Sequence, residues 1–461
     1  MNMKIGLLPL YIALYDETSP GARPRMEKFY DDIAKAFEKR GLEVETSAFC
    51  RLKPEFDRTV AAFEKAGCDA IVTLHIAYSP SLESIEALCK TDLPIIVLDT
   101  TDTLEFLPTG EDHIMYCHGI HGVMDMCSML TRYDKPYAIA AGHYTESDCI
   151  DRAAGLVRAA VAATNLKKAK VTLIGGAFQG MGDFTVSPAE FKEVFGATIS
   201  DADAVALGKI YDGITDEEVA VEIEAMKARF PFADDIVEDE FHNAIRSGLA
   251  VRKYVNDNGF TAFSANFLKV GEGSGVSSMP FIEACLAMER GIGYAGEGDG
   301  LTAAFTGALL SAYPETSFVE IFCPDWKNNM VLLSHMGEVN YRIGDVVPTI
   351  QSKGGNLTGG TMPYVGYTRM KGGKGAYINV SRAADGYKLV IAPSEMLSVG
   401  EDNFGHTVRG WLRPEVDSTA EFLEKLSING ATHHSVFVYG ATKEEMEFFG
   451  RLLGMEVVTI G

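Results

Sequence analysis

The sequence lacks long hydrophobic runs and paired-cysteine motifs. No apolar stretch among its 461 residues approaches the roughly 20 residues of a transmembrane helix, so no membrane partner is expected. The eight cysteines are scattered without a Cys-x-x-Cys pair, which predicts free thiols in a reducing compartment. The short apolar run at residues 5–10 contains Pro9, and Asp16 and Glu17 soon follow. We interpret this run as a first buried strand rather than a signal peptide, and we expect a cytoplasmic protein.

Positive charge is also scarce. The chain has 41 basic and 64 acidic residues and a formal charge of −23, which repels phosphate backbones and excludes nucleic acid as an expected partner. Neither a Gly-x-x-x-x-Gly-Lys-Ser/Thr run nor a Gly-x-Gly-x-x-Gly run after the first strand is present, so no nucleotide cofactor is expected. Residues 175–182 are glycine-rich and follow a strand. We interpret them as a tight loop at a pocket edge, with a phosphate cradle as the alternative.

The hydrophobic pattern predicts that the chain is divided into three regions. Strand and helix signals alternate through residues 1–166 and again through 167–312, where acidic helices are predicted over 216–230 and 234–256. Residues 313–461 change to short strands and glycine-rich turns, including one at residues 354–360. The predicted fold is α/β: two N-terminal doubly wound parallel-sheet domains, followed by a mostly antiparallel, β-barrel-like C-terminal domain.

Two carboxylates and three imidazoles are the candidate chemical groups. Glu297 lies between two glycines, and Glu320 lies in an apolar strand, where a carboxylate must either face water or have a strong partner. His335 follows a strand, and His433 and His434 are adjacent. Each residue alone fits an ordinary structural role. Together, and without cysteine, they suit a divalent cation such as Mn²⁺, Mg²⁺ or Co²⁺.

The adjacent histidines are not equivalent. Neighbouring residues of a strand point to opposite faces, so only one of His433 and His434 is expected to reach a given metal, unless the strand has ended. The other is expected to hold substrate or to pack.

Four segments lie in the same order and at similar separations as the metal-site segments of L-arabinose isomerase: residues 293–299, 316–320, 333–336 and 430–434. The chain therefore resembles the L-arabinose/L-fucose isomerase superfamily, closer to the arabinose branch. This resemblance implies a metal-dependent aldose–ketose isomerase that acts on an open-chain sugar through an enediol. It implies that Mn²⁺ is bound by Glu297, Glu320, His335 and His434, that the two glutamates form the acid–base pair, and that His433 lies on the substrate side.

Fainter matches extend the resemblance. His118 and His121 match a segment that closes the sugar pocket from a neighbouring subunit, and Phe267 falls on a pocket-lining position. The resemblance therefore implies a homo-oligomer, with trimers or hexamers typical of the family.

The sequence also departs from the arabinose isomerase pattern at several positions, so more than one sugar is a candidate substrate. Residues 10–15 replace the family's Ser-Gln-His-Leu-Tyr-Gly signature, His118 replaces a glutamine, and Gly300 stands where the arabinose enzymes have tryptophan. L-fucose, D-arabinose and a deoxy or sulfonated C6-modified hexose are alternative substrates, although Glu320 favours the arabinose branch over the aspartate of the fucose branch. A non-catalytic sugar-binding protein is the alternative of another class, but it would not need two glutamates converging on a metal.

Overall fold

The computed structural model describes residues 3–271, 273–354 and 360–461. The chain divides into two compact units, Met1–Thr164 and Asn165–Gly461. The domain boundaries at residues 166 and 312 stay predictions. Most of the predicted glycine-rich turn at 354–360 lies outside the described residues. None of the helices in the described ranges has the length and hydropathy to cross a membrane.

The first unit contains a parallel sheet in the order β2-β1-β3-β4-β5. β3 is buried at every residue and β4 at every residue except Asp99, as expected for parallel strands covered on both faces. Its strands are β1 (Lys4–Leu10), β2 (Glu43–Thr46), β3 (Ala70–His75), β4 (Ile95–Asp99) and β5 (Tyr137–Ala141). Its helices are α1 (Leu14–Thr18), α2 (Arg23–Glu38), α3 (Lys53–Lys65), α4 (Ser81–Lys90), α5 (Ile114–Cys117) and α6 (Ile120–Arg132), with 3-10 turns at Pro20–Ala22 and Glu111–His113.

The second unit begins with another parallel sheet, in the order β7-β6-β8-β9. Its strands are β6 (Lys170–Ile174), β7 (Thr198–Asp201), β8 (Ala262–Ala265) and β9 (Gly293–Gly296). The helices, starting with one that crosses the boundary between the units, are α7 (Cys149–Lys167), α8 (Pro188–Phe195), α9 (Ala204–Gly213), α10 (Asp216–Lys227), α11 (Glu238–Asp257), α12 (Phe281–Glu289) and α13 (Gly300–Leu310). α13 is buried along its whole length, because it is apolar on every face.

The remaining strands form a closed barrel. The ring runs β14-β17-β10-β11-β16-β15 and closes by antiparallel pairing of β15 with β14, while β18 adds in parallel to β15 and β12 pairs with β13 separately. The strands are β10 (Thr316–Asp325), β11 (Met330–His335), β12 (Thr349–Ser352), β13 (Tyr364–Tyr367), β14 (Gly373–Ala383), β15 (Gly386–Met396), β16 (Val408–Pro414), β17 (His434–Tyr439) and β18 (Glu456–Thr459). The helices are α14 (Thr419–Ile428) and α15 (Lys443–Leu452), with a 3-10 turn at Tyr341–Ile343. The predicted fold class is confirmed.

Candidate metal centre

Glu297 occupies the tight turn between β9 and α13. Its φ of 67° lies in the left-handed region, and Gly298 follows with a φ of 85°. A Cβ atom at Gly296 would lie 2.5 Å from Cε1 of His335, so only glycine lets the imidazole approach the turn this closely. The strained turn therefore holds the Glu297 carboxylate against a histidine that comes from the barrel.

Three barrel strands supply the other candidate ligands. Glu320 of β10 pairs with His434 of β17 on one side and with Ser334 of β11, the residue before His335, on the other. Antiparallel pairing fixes these positions relative to one another, because a one-residue slip would turn a side chain to the opposite face. The barrel register therefore brings Glu320, His335 and His434 to one end of neighbouring strands.

Two overlapping groups of ligand atoms result. Glu297, His433 and His434 form one group, and Glu320, His335 and His434 form the other; within each group the ligand atoms lie within 4.8 Å of one another. Nε2 of His434 is buried, has no hydrogen-bond partner among the described residues, and lies 3.8 Å from Oε2 of Glu297. A buried lone pair facing a carboxylate fits a bound cation, and the oxygen and imidazole donors fit a divalent one.

The two buried imidazoles are oriented by carboxylates on their other side. Nδ1 of His434 donates to Asp299 at 3.0 Å, and both side chains are fully buried. Nδ1 of His335 donates to Glu338 at 2.6 Å, and Glu338 also accepts a hydrogen bond from the Tyr294 hydroxyl at 2.7 Å. With Nδ1 occupied, Nε2 of each ring is left for a ligand, which is the usual arrangement around protein-bound metals.

Aromatic rings hold the same imidazoles from the sides. Phe184 stacks on His434 with ring centroids 5.2 Å apart and planes 7° apart. Phe318 contacts both His434 and His335 edge-on, at 5.0 Å and 4.9 Å. The imidazoles therefore have little freedom to rotate away from the carboxylates.

His433 lies just before β17 begins, so the alternation of a strand does not separate it from His434. The two rings are 4.2 Å apart, and Nε2 of His433 lies 3.7 Å from Oε2 of Glu297. Asp183 accepts hydrogen bonds from the main-chain N–H and from the ring of His433. Asp183 follows the glycine-rich loop 175–182, in which the N–H of Phe178 donates to the Glu297 carbonyl at 3.0 Å.

The carboxylates experience different electrostatic environments. Burial alone would raise the pKa of Glu297, but the three nearby histidines outweigh it and lower that pKa. Burial dominates at Glu320, and its pKa is raised. Proximity to Glu297, together with the hydrogen bond to Asp183, outweighs burial and raises the pKa of His433 to about 9. The centre therefore has one carboxylate that favours the charged form and one that resists it.

The predicted substrate-side residues fall in two places. Phe267 lines a cavity of about 20 Å³ together with Glu297 and His335, so it borders the centre. His118 and His121 belong to the first unit, where their rings lie 5.9 Å apart and the Tyr15 hydroxyl is 2.8 Å from Nε2 of His118. Their substrate-binding role stays a prediction.

Comparison with known proteins identifies relatives across most of the chain. Residues 186–312 match the L-arabinose isomerase central domain, and residues 315–456 match the L-arabinose isomerase C-terminal domain. The L-arabinose isomerase of Shouchella clausii is 24% identical over 406 residues, covering 85% of this chain and 82% of the relative. That of Aeromonas salmonicida is 23% identical over 411 residues, covering 85% and 81%. A solved Actinobacillus succinogenes solute-binding protein with bound D-allose covers 68% of this chain at 15% identity, with a TM-score of 0.19 that supports no conclusion.

Proposed function

The chain belongs to the L-arabinose isomerase family, and we propose that it interconverts an open-chain aldose and its ketose at a divalent cation held by Glu297, Glu320, His335 and His434. Mn²⁺ is the cation we expect, with Mg²⁺ or Co²⁺ as alternatives. We also expect a homo-oligomer, because the family resemblance gives His118 and His121 a role in a neighbouring subunit's pocket.

One observation carries the proposal. Nε2 of His434 is buried without a partner among the described residues, and it lies where the two groups of ligand atoms overlap. Its opposite nitrogen is held by Asp299, so the free nitrogen cannot turn away to find another partner. Leaving such an atom unpaired costs about 1–3 kcal/mol, which a bound cation would offset.

The reaction needs a proton moved between two adjacent carbons. A cation bound at this centre would stabilise the negative charge that develops on the sugar oxygens. Glu297 and Glu320 are the two carboxylates available to remove the proton next to the carbonyl and to return it to the neighbouring carbon. His433 is positioned by Asp183 to donate a hydrogen bond toward the sugar or toward Glu297. Phe267 limits the space beside the carboxylate.

The sugar itself is proposed only as a class. L-arabinose, L-fucose, D-arabinose and C6-modified hexoses are the candidates, because residues 10–15 and Gly300 depart from the arabinose enzymes.

Metal titration combined with a sugar panel tests the proposal. Metal-stripped protein would be titrated with Mn²⁺ while ketose formation is followed with each candidate aldose. Metal-dependent turnover of one sugar would support both the reaction and the centre. Absence of metal binding would contradict the four-ligand assignment and favour a sugar-binding protein. Tight metal binding without turnover of any aldose would contradict the isomerase assignment for this panel.

A further inference from the structure

Lys353 is a half-buried cation that forms no ion pair with the described residues. It follows β12, and its ammonium donates to the Tyr367 hydroxyl at 3.2 Å while lying 5.4 Å from the centroid of that ring. Within the described ranges no carboxylate lies within ion-pair distance of it, whereas the partly buried Arg252 and Arg409 both pair with carboxylates. Burial lowers the pKa of Lys353. An unpaired charge in such a position is costly unless something else compensates it.

Two acidic groups of this region, Glu338 and Asp235, already accept hydrogen bonds from other residues. Glu338 is bonded to His335 and Tyr294, and Asp235 accepts hydrogen bonds from the main-chain N–H of Ser352. Neither carboxylate is therefore free to neutralise the ammonium. Within the described part of the chain, no carboxylate pairs with this ammonium, so its positive charge is available to a bound anion.

Two further polar side chains lie next to the Lys353–Tyr367 pair, one in β12, the strand that Lys353 follows, and one against the Tyr367 ring. Gln351 lies two residues before Lys353 and accepts a hydrogen bond from Nδ1 of His406 at 2.7 Å. The His406 ring is perpendicular to that of Tyr367, with centroids 6.4 Å apart. We call these four residues, Gln351, Lys353, Tyr367 and His406, the Lys353 cluster. It contains no carboxylate, and its ammonium and phenol are hydrogen-bond donors suited to an anion.

Two segments connect the Lys353 cluster to the region around His335. β13, which ends at Tyr367, packs against the segment after β11: a Cβ atom at Gly337 would lie 2.5 Å from Cγ1 of Val365. His406 lies two residues before Val408, which pairs with His335. The charge of Glu338, which bonds to His335, acts on both Lys353 and Tyr367, so these two residues lie near the candidate metal centre.

We propose that Lys353 and Tyr367 form a subsite for an anionic group at the end of the sugar remote from its carbonyl. This inference rests on the proposed isomerase function and narrows it to aldoses that carry a phosphate, a sulfonate or a carboxylate on the terminal carbon. Those three groups share the chemistry that an ammonium and a phenol recognise. The subsite would favour the modified sugar over the neutral one.

Kinetics with matched substrates test the subsite. The Mn²⁺-loaded full chain would be assayed with D-glucose, D-glucose 6-phosphate, 6-deoxy-6-sulfo-D-glucose and D-glucuronate, which differ only at C6. We expect one anionic sugar to be preferred over glucose. We expect Lys353→Met to lower kcat/KM for that sugar by about 10- to 100-fold, mainly through KM, because a charge-assisted hydrogen bond is lost. Turnover of neutral aldoses should change less than about twofold.

Two further variants make the result specific. Lys353→Arg keeps the charge and should recover most of the lost kcat/KM, and Lys327→Met removes an exposed lysine and should have no effect. Melting temperatures identify any variant that has lost its fold. Equal kcat/KM of wild type and Lys353→Met for every anionic sugar would overturn the inference, as would an equal loss for neutral and anionic sugars.

Failure of the proposed function has a different signature. If no aldose of either kind is isomerised, the isomerase proposal fails, and calorimetric binding of the same three anionic sugars then tests the subsite directly. Binding that Lys353→Met weakens and Lys327→Met leaves unchanged would support the subsite. Binding that neither substitution changes would overturn it.

Discussion

One oxygen of Asp183 accepts two hydrogen bonds from His433, at 2.9 Å from the main-chain N–H and at 2.6 Å from ring Nδ1–H. The carboxylate thereby fixes the orientation of the imidazole and turns Nε2 toward Glu297. His434, the neighbouring candidate ligand, is held separately by Asp299 and Phe184. Asp183 is therefore a positioning residue for His433 rather than for the metal.

Removing that carboxylate should impair turnover without releasing the metal. We expect Asp183→Ala to lower kcat by about 100-fold and Asp183→Asn, which keeps an acceptor oxygen, by about tenfold. Mn²⁺ affinity, measured by calorimetry, should change less than about threefold. Equal loss of activity in both variants, accompanied by weaker Mn²⁺ binding, would contradict a role confined to His433.

The two glutamates should be essential for chemistry. Glu297→Gln and Glu320→Gln keep the side-chain shape but remove the proton-transfer group, so we expect each to lower kcat by about 1,000-fold or more. Metal content should be measured in the same samples, because both residues are also candidate ligands. Glu395→Gln, at an exposed position of the same barrel, is the matched control and should retain wild-type kcat. Near-normal kcat of either glutamate variant with metal bound would refute its assignment.

Asp299 should control metal affinity more than stability. Its Oδ1 accepts the N–H of Thr302 and caps α13, while Oδ2 accepts Nδ1–H of His434. Asp299→Asn can keep the cap but places an amide N–H opposite the imidazole. We expect Mn²⁺ affinity to fall by about 10- to 100-fold while the melting temperature changes little.

Asp299→Ala provides the comparison for that prediction. It removes the cap as well, and we expect an additional loss of about 1 kcal/mol in the free energy of unfolding. If Asp299→Asn binds Mn²⁺ as tightly as wild type, the carboxylate does not orient His434 for a metal.

Because of His75, we expect the free energy of unfolding to decrease as the pH is lowered. It ends β3 of the first unit, and neither ring nitrogen has a hydrogen-bond partner in the described part of the chain. Burial lowers its pKa to about 3, against about 6.5 in an unfolded chain. Above about pH 6.5 the His75 imidazole is neutral in both the folded and the unfolded state. Between about pH 6.5 and 3 only the unfolded state takes up the proton, so stability falls by about 1.4 kcal/mol per pH unit.

The measurement compares wild type with His75→Gln, which cannot titrate there. Melting temperatures between pH 7 and pH 5 should fall more steeply for wild type than for the variant, because carboxylate titrations are common to both. Parallel curves for the two proteins would show that His75 is protonated in the folded state or contributes nothing.

Local pattern was sufficient for the fold class but not for every helix end. The predicted helix over 216–230 ends at Lys227, and the one predicted over 234–256 begins at Glu238. The segment between them bridges to β12 instead, with the N–H of Ala233 bonded to the carbonyl of Ile350. That pairing joins residues far apart in sequence, so acidic, helix-compatible composition could not reveal it.

The same limit explains which parts of the centre were missed. Glu297 was visible because glycines flank it, and Glu320 because a carboxylate interrupts an apolar strand. Glu338 lies in a turn whose sequence looks solvated, yet it is buried and accepts hydrogen bonds from Tyr294 and His335. Asp183 meets His433 across 250 residues. Contacts of this kind depend on tertiary packing and leave no local signature.

The bulge in β10 separates two parts of the strand that should tolerate insertions differently. Glu320 and Ile321 pair with consecutive residues of β11. The register then shifts at the bulge, and pairing resumes at Cys323. Insertions in the β10–β11 hairpin beyond Cys323 would lengthen a surface loop without moving Glu320. A single-residue insertion between Thr316 and Glu320 would instead point the glutamate to the opposite face of the barrel. We therefore expect insertions to be tolerated beyond the bulge but not between Thr316 and Glu320.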